Sequence, residues 1–191
     1  MKIFNWDELP NCEEYFSRGC GLSVGLFDGV HLGHQMIFQK LLDYREKNPE
    51  IPVGVLTFRN LPQKNGEKIT TFEKKMEFFE KISLDFIIPI DNFEKIGIMK
   101  GADFFSELKK KCNLAFLVVG EDFRCGKNRD FGMTEIADFA QKNNFLCEFL
   151  PEFTLDGLPC RSSVIRDLLK KNHVALANKM LGKFREEQKW H

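Results

Sequence analysis

Short, almost uninterrupted apolar runs alternate along this chain with longer segments in which apolar residues recur every three or four positions. That alternation leaves few folds open. The short runs are residues 21–27 (GLSVGLF), 51–58 (IPVGVLTF), 85–90 (DFIIPI), 114–119 (LAFLVV) and 145–150 (FLCEFL). Residues 33–46 carry Met36, Ile37, Leu41 and Leu42 at helical spacing; residues 72–82 carry Phe72, Met76 and Phe79; residues 101–112 carry Phe104, Phe105 and Leu108. A further helix is predicted over 134–142, and the tail from 162 to 181 reads as two short helices broken near Asn172. Strands without an alternating polar face are buried on both sides. The pattern therefore predicts an α/β domain with about five parallel strands and helices on both faces of the sheet. No internal repeat or linker divides residues 1–191, so one domain is expected. Sheets of this kind bind ligands at the carboxyl ends of their strands, which here fall after Phe27, Phe58, Ile90, Val119 and Leu150.

Charge narrows the partners. Twenty-eight basic residues balance 28 acidic ones, so nothing draws the chain generally to nucleic acid or to an anionic membrane. An anionic ligand must be held by a local site. The first residues, MKIFNWDELP, lack an apolar signal core, and LAFLVV is far too short to cross a bilayer. Cys12, Cys20, Cys112, Cys125, Cys147 and Cys160 form no C-x-x-C pair and lack zinc-ligand spacing. Reduced thiols, a cytoplasmic setting and no resident metal are expected; oligomeric state is left open. The 20 phenylalanines are better explained by a Phe-packed core or a biased genome than by a platform for stacking bases.

Three segments carry candidate chemistry, and each follows an expected strand or precedes an expected helix. In Phe27-Asp28-Gly29-Val30-His31-Leu32-Gly33-His34, two of the four histidines share a glycine-punctuated strand-to-helix turn. The free amides of a helix start suit phosphate, and imidazoles three residues apart project to one side, where they can donate to phosphate oxygens. Arg161-Ser162-Ser163-Val164-Ile165-Arg166 opens a helical pattern. Taken alone, its serines read as helix caps. The third segment, Gly120-Glu121-Asp122-Phe123-Arg124-Cys125-Gly126-Lys127-Asn128-Arg129, reads as a solvated turn or a ligand loop.

Together these segments resemble a known family. H-x-G-H is the signature of the nucleotidyltransferase superfamily. The second segment is similar to its I-S-S-T-x-I-R element, with Cys160 and Arg161 in place of Ile and Ser, and Ser163 in place of Thr. The third looks like the V-G-x-D-F-R-F-G-x-x-R run of the bacterial FAD synthetase family, with Cys125 replacing Phe. The likeness runs roughly from Gly21 to Phe184. It implies a Rossmann-like nucleotidyltransferase fold and transfer of AMP from ATP, accompanied by Mg2+, to FMN, giving FAD and pyrophosphate by direct in-line displacement. By the same resemblance, His31 and His34 are catalytic. Gly25, Phe27, Asp28, Gly33, Gly120, Arg161, Ser162, Ser163, Val164 and Arg166 join them in holding ATP. Phe58, Pro62, Asp122, Phe123, Arg124 and Arg129 face FMN. After the second strand, Phe58-Arg59-Asn60-Leu61-Pro62 keeps only the later proline of the family's F-x-P-x-P, which leaves the acceptor less well defined than AMP transfer. Most bacterial members carry a riboflavin kinase module after the transferase domain; with 191 residues, a transferase without it is expected. Two alternatives stay open: an H-x-G-H transferase with another phosphorylated acceptor, and a flavin- or ATP-binding protein without turnover.

Overall fold

In a computed structural model of the chain, the residues described are 1–7, 9, 14–59, 68–91 and 93–182. In chain order they form β1 (Lys2–Ile3), β2 (Cys20–Val24), α1 (Leu32–Lys47), β3 (Val53–Phe58), α2 (Phe72–Lys81), β4 (Phe86–Ile90), α3 (Phe93–Gly97), α4 (Gly101–Cys112), β5 (Leu114–Gly120), α5 (Met133–Lys142), β6 (Leu146–Leu150), β7 (Thr154–Leu155), β8 (Leu158–Pro159), α6 (Ser162–Lys170) and α7 (Val174–Leu181). The main sheet has order β1-β4-β3-β2-β5-β6, and all of its pairs are parallel. It has six strands where about five were expected. The sixth is β1, whose two residues pair with Phe86 and Ile87 at the sheet edge and are too few to show a period.

Side-chain alternation along the strands divides the core. Leu56, Phe86, Ile88, Leu117 and Val119 face one way and pack with Phe104, Phe105 and Leu108 of α4 and Ile136 of α5. Val53, Val55, Ile87, Phe116 and Val118 face the other way, against Phe38 and Leu41 of α1 and Phe78 and Phe79 of α2. Helices thus cover both faces, as the apolar strands require. Phenylalanine dominates the interior: Phe16, Phe27, Phe38, Phe79, Phe86 and Phe105 are among its largest fully buried side chains. A third, smaller core packs α6 and α7 onto Ile69 and Cys160. The segment after β6 makes a β7–β8 hairpin, with Asp156 and Gly157 at positive φ (51° and 78°) in its turn.

Sheet order reverses at β2. The chain winds from β2 to β3 and β4 on one side, then returns to place β5 on the other. A crevice therefore opens where the carboxyl ends of β2 and β5 diverge.

Strand packing is tight at the opposite, amino-terminal ends of β3 and β4. A Cβ on Gly54 of β3 would lie 2.2 Å from the Phe86 carbonyl oxygen, so β3 and β4 must separate to admit it. Overpacking costs typically about 1–3 kcal/mol, and about 1 kcal/mol shifts the midpoint of a chain this size by 2–4 °C. Gly54→Ala should lower the melting temperature by about 5 °C or more, read by circular dichroism; an unchanged midpoint contradicts the β3–β4 spacing.

Candidate active site

The turn between β2 and α1 is strained. Phe27, Gly29 and Val30 have φ of 51°, 81° and 43°; left-handed geometry is unfavourable for Phe and more so for β-branched Val. Burial offsets that cost. Val30 is fully buried, and the Phe27 ring meets Phe38 and Phe79 edge-on at 5.1 and 6.1 Å. Asp28 fastens the turn to the rest of the molecule. Its Oδ1 accepts from the Ile69 and Thr70 amides at 3.0 and 3.1 Å, and its Oδ2 accepts from Arg166 Nη1 at 2.9 Å. Its carbonyl accepts from Ser162 Oγ at 2.8 Å. Gln35 Nε2 adds bonds to the carbonyls of Val30 and Leu181.

His31 caps α1 in extended geometry, and His34 lies one helical turn on. The three-residue spacing brings their rings into a stack, with centroids 3.6 Å apart and planes 22° from parallel; the Phe27 ring meets His34 edge-on at 5.3 Å. Gly33 makes room, since a Cβ there would crowd the His31 ring at 3.3 Å. Burial pushes His31 down to about 4. It pushes His34 well below its ordinary value, with the nearby His31 and Lys75 acting in the same direction. Near pH 7 both imidazoles are neutral. Nδ1 of each is buried without a hydrogen-bond partner among the described residues. An incoming polyphosphate would favour the protonated forms and take up their N–H groups.

The pair opens into a cleft of two joined chambers. The first, about 420 Å³, is the more polar of the two. His31, Gly33 and His34 line it from the turn; Gly120 and Asp122 from the end of β5; Pro151 and Glu152 from beyond β6; Arg161, Ser162, Ser163 and Arg166 from the start of α6. The second, about 350 Å³, is aromatic, with Phe58, Phe93, Phe104, Ile96 and Cys125 in its wall. Val24, Gly25, Leu26, Phe123, Arg124 and Arg129 line both chambers and form the throat. The loop bearing the last three is closed by a bridge between Cys125 and Phe131 and anchored by Asp130 Oδ1, which accepts from the Gly101 amide at 3.0 Å. Burial and Asp130 push the Cys125 thiol up to about 12, so it acts as an apolar wall element.

Most residues singled out in the sequence therefore converge. Gly25, Phe27, His31, Gly33, His34, Gly120, Arg161, Ser162, Ser163 and Arg166 line the polar chamber, with Asp122, Phe123, Arg124 and Arg129; Phe58 lines the aromatic one. Asp28 and Val164 lie outside both walls. Asp28 is engaged as above, and Val164 packs on the α6–α7 core. Arg161 is paired with Glu152 on the polar wall. Pro62 lies outside the described residues.

Some contributors were not anticipated. The face expected on α2 was Phe72, Met76 and Phe79, yet Met76 is only partly buried and Lys75 is buried in its place. Lys75 Nζ donates to Leu26 O at 3.0 Å, Thr57 Oγ1 at 3.2 Å and Phe58 O at 3.2 Å. One lysine on an amphipathic helix has no mark in the sequence that sets it apart from a solvated one. Glu152 follows a strand end, which was the available signal. Phe104 read as one of the apolar residues of a helix face, and Phe93 belonged to no expected element.

Comparison with known proteins now bears on this geometry. A family model for FAD synthetase matches residues 13–164. The chain belongs to the FAD synthetase family. It is 32% identical over 176 residues to a bifunctional riboflavin kinase/FMN adenylyltransferase of Haemophilus influenzae, covering 87% of this chain and 56% of that protein. It is 27% identical to the Escherichia coli K12 protein of the same name, covering 91% and 58%, and 24% identical to a FAD synthetase of Listeria monocytogenes, covering 95% and 75%. The chain thus spans a little over half the length of the bifunctional relatives. Among solved structures, a pantoate–β-alanine ligase from Francisella tularensis superimposes with a TM-score of 0.57 at 16% identity, covering 97% of this chain and 79% of that one. A Streptococcus pneumoniae protein titled a macrolide-efflux protein superimposes with a TM-score of 0.76 at 20% identity, covering 86% and 56%. At such identities the likeness concerns the fold alone, a Rossmann-like parallel sheet with helices on both faces. Among the described residues no helix is long and apolar enough to cross a membrane.

The buried histidines tie stability to pH in this family member. Unfolded histidine takes up a proton near 6.5, whereas folded His31 resists protonation until about 4. Between those values the unfolded chain holds more protons, so stability rises with pH and is lost on acidification through that window. The shift corresponds to on the order of 3 kcal/mol for His31. Urea unfolding from pH 7 to pH 4 should show wild type losing about that much more stability than His31→Asn. Parallel curves would show that His31 is not held neutral.

Proposed function

We propose that this protein is an FMN adenylyltransferase that makes FAD and pyrophosphate from FMN and ATP. The observation that carries the reading is the junction of a polar chamber bearing a histidine pair with an aromatic chamber, through a throat lined by Arg124 and Arg129. A triphosphate needs donors and cations, and a flavin ring needs flat apolar walls with its phosphate tail near a cation. Family membership and the names of the relatives support the same chemistry.

In this reading ATP enters the polar chamber with the Mg2+ that accompanies it as substrate. Ser162, Ser163 and Arg166 receive the β- and γ-phosphates, and Arg161 joins them on leaving Glu152. Gly120 lies near the adenine, and Val164 backs that region through the α6 packing. Asp28 acts by fixing Arg166 and the turn. The isoalloxazine ring lies among Phe58, Phe93, Phe104 and Phe123, with Asp122 on the polar side of the throat. Arg124 and Arg129 bring the FMN phosphate to the throat. One of its oxygens attacks the α-phosphorus in line; the new P–O bond forms as the bond to pyrophosphate breaks, and the electron pair leaves with pyrophosphate. His31 and His34 donate to the phosphate oxygens as their charge shifts, so catalysis rests on positioning and charge stabilisation. The free thiols of Cys20, Cys112, Cys125, Cys147 and Cys160 suit a cytoplasmic enzyme.

Chromatography after incubation with ATP, FMN and magnesium should show FAD and equimolar pyrophosphate. Absence of FAD, or turnover of CTP with a polyol phosphate instead, would overturn the assignment. His31→Ala and His34→Ala should each lower kcat by roughly 10²–10³ with a smaller change in KM for ATP, because donors aimed at developing charge act mainly in the transition state. Near-normal kcat in a folded variant would remove the histidines from the mechanism.

A further inference from the structure

Lys75 belongs to none of the three motif segments, yet it is one of the few charged side chains inside the molecule, only 6% exposed. Burying an ammonium costs several kcal/mol unless close partners recover the lost hydration. Among the described residues its hydrogen-bond partners are three oxygens, none from a carboxylate: Leu26 O, Thr57 Oγ1 and Phe58 O; the ammonium also lies 5.6 Å from the centre of the Phe72 ring. They sit just beyond β2 and at the end of β3, two neighbouring strands whose carboxyl ends frame the cleft. Thr57 Oγ1 also donates to Leu26 O at 3.2 Å, so ammonium and hydroxyl together bind these two chain segments. Leu26 and Phe58 themselves line the aromatic chamber, which places the tie immediately behind its wall. The other buried residues of α2 are the aromatic Phe72, Phe78 and Phe79. A costly buried charge at the rim of a cleft marks a functional constraint.

We propose that Lys75 is a positioning residue for the acceptor: its ammonium pins the carbonyls of Leu26 and Phe58 and so fixes the width of the aromatic chamber that receives the flavin. This rests on the adenylyltransferase reading above. The polar chamber shares Leu26 with the aromatic one, but its phosphate-facing segments are held by other bonds, from Asp28 to Ile69, Thr70, Ser162 and Arg166. Loss of Lys75 therefore separates acceptor binding from ATP binding, a division that a general loss of stability does not produce.

The test compares wild type, Lys75→Met and Thr57→Val. FMN binding is read by flavin fluorescence without ATP, and KM for ATP and for FMN by FAD formation. Hydrogen bonds to a charged group are worth about 1.5–3 kcal/mol, so Lys75→Met should raise the FMN Kd and KM by roughly tenfold or more. KM for ATP should stay within about twofold. Thr57→Val removes one acceptor and the Thr57–Leu26 bond but leaves the ammonium, and should raise the FMN Kd by a smaller factor. An unchanged FMN Kd in Thr57→Val overturns the proposal even if Lys75→Met does not fold. Equal increases for ATP and FMN overturn it as well. Wild-type protein that binds FMN and makes FAD, with variants matching it, refutes the role of Lys75 alone; wild type that binds no FMN refutes the functional reading and this proposal with it.

Discussion

Asp28 is the point on which the site depends. Its carboxylate joins the turn after β2 to the Ile69–Thr70 segment and to Arg166 of α6, while its carbonyl holds Ser162. The turn itself is unfavourable, with Phe27 and Val30 at positive φ, and would relax without such a clamp. With it, α1 begins where His31 and His34 stack over the cleft and α6 begins where its serines and arginines face them. Asp28 thus contributes by orienting two segments, distant in the chain, that are proposed to hold phosphate.

The cleft is arranged before any substrate arrives, and the arrangement carries electrostatic cost. The histidines are held neutral by burial, Lys75 is buried among oxygens, and burial lowers Lys75 to about 8 while Asp28 opposes the shift. Each strain eases when negative charge enters. In the proposed reading, a triphosphate brings acceptors to a ring pair whose Nδ1 atoms have no hydrogen-bond partner among the described residues. Fixed donors of this kind lower a barrier because they need not reorganise as the reaction proceeds.

Much of this was legible in the sequence, and the boundary is physical. The strands β2 to β5 announced themselves because residues buried on both faces leave unbroken apolar runs, and β6 kept such a run although it lies at the sheet edge; the motifs fell at carboxyl ends. The α1 and α4 helices showed their periods. What escaped was either too short or carried by direction. β1 has two residues and α3 five, below any period. That Asp28 reaches Arg166 rather than the cleft is a matter of side-chain direction across distant segments. Lys75 was hidden because a helical period counts apolar residues, and a buried lysine reads as a solvated one. The aromatic chamber escaped for the converse reason: Phe104 looks like part of an apolar helix face until the fold shows the space beside it, and Phe93 belonged to no expected element.

The central claim is that AMP passes in one step through the throat, from a triphosphate on one side to a flavin phosphate on the other. Its most direct test is the stereochemical course at phosphorus. With FMN and ATP made chiral at the α-phosphorus by a single sulfur substitution, direct transfer predicts FAD formed with inversion. Retention would contradict the account, because it requires a second displacement through a group on the protein.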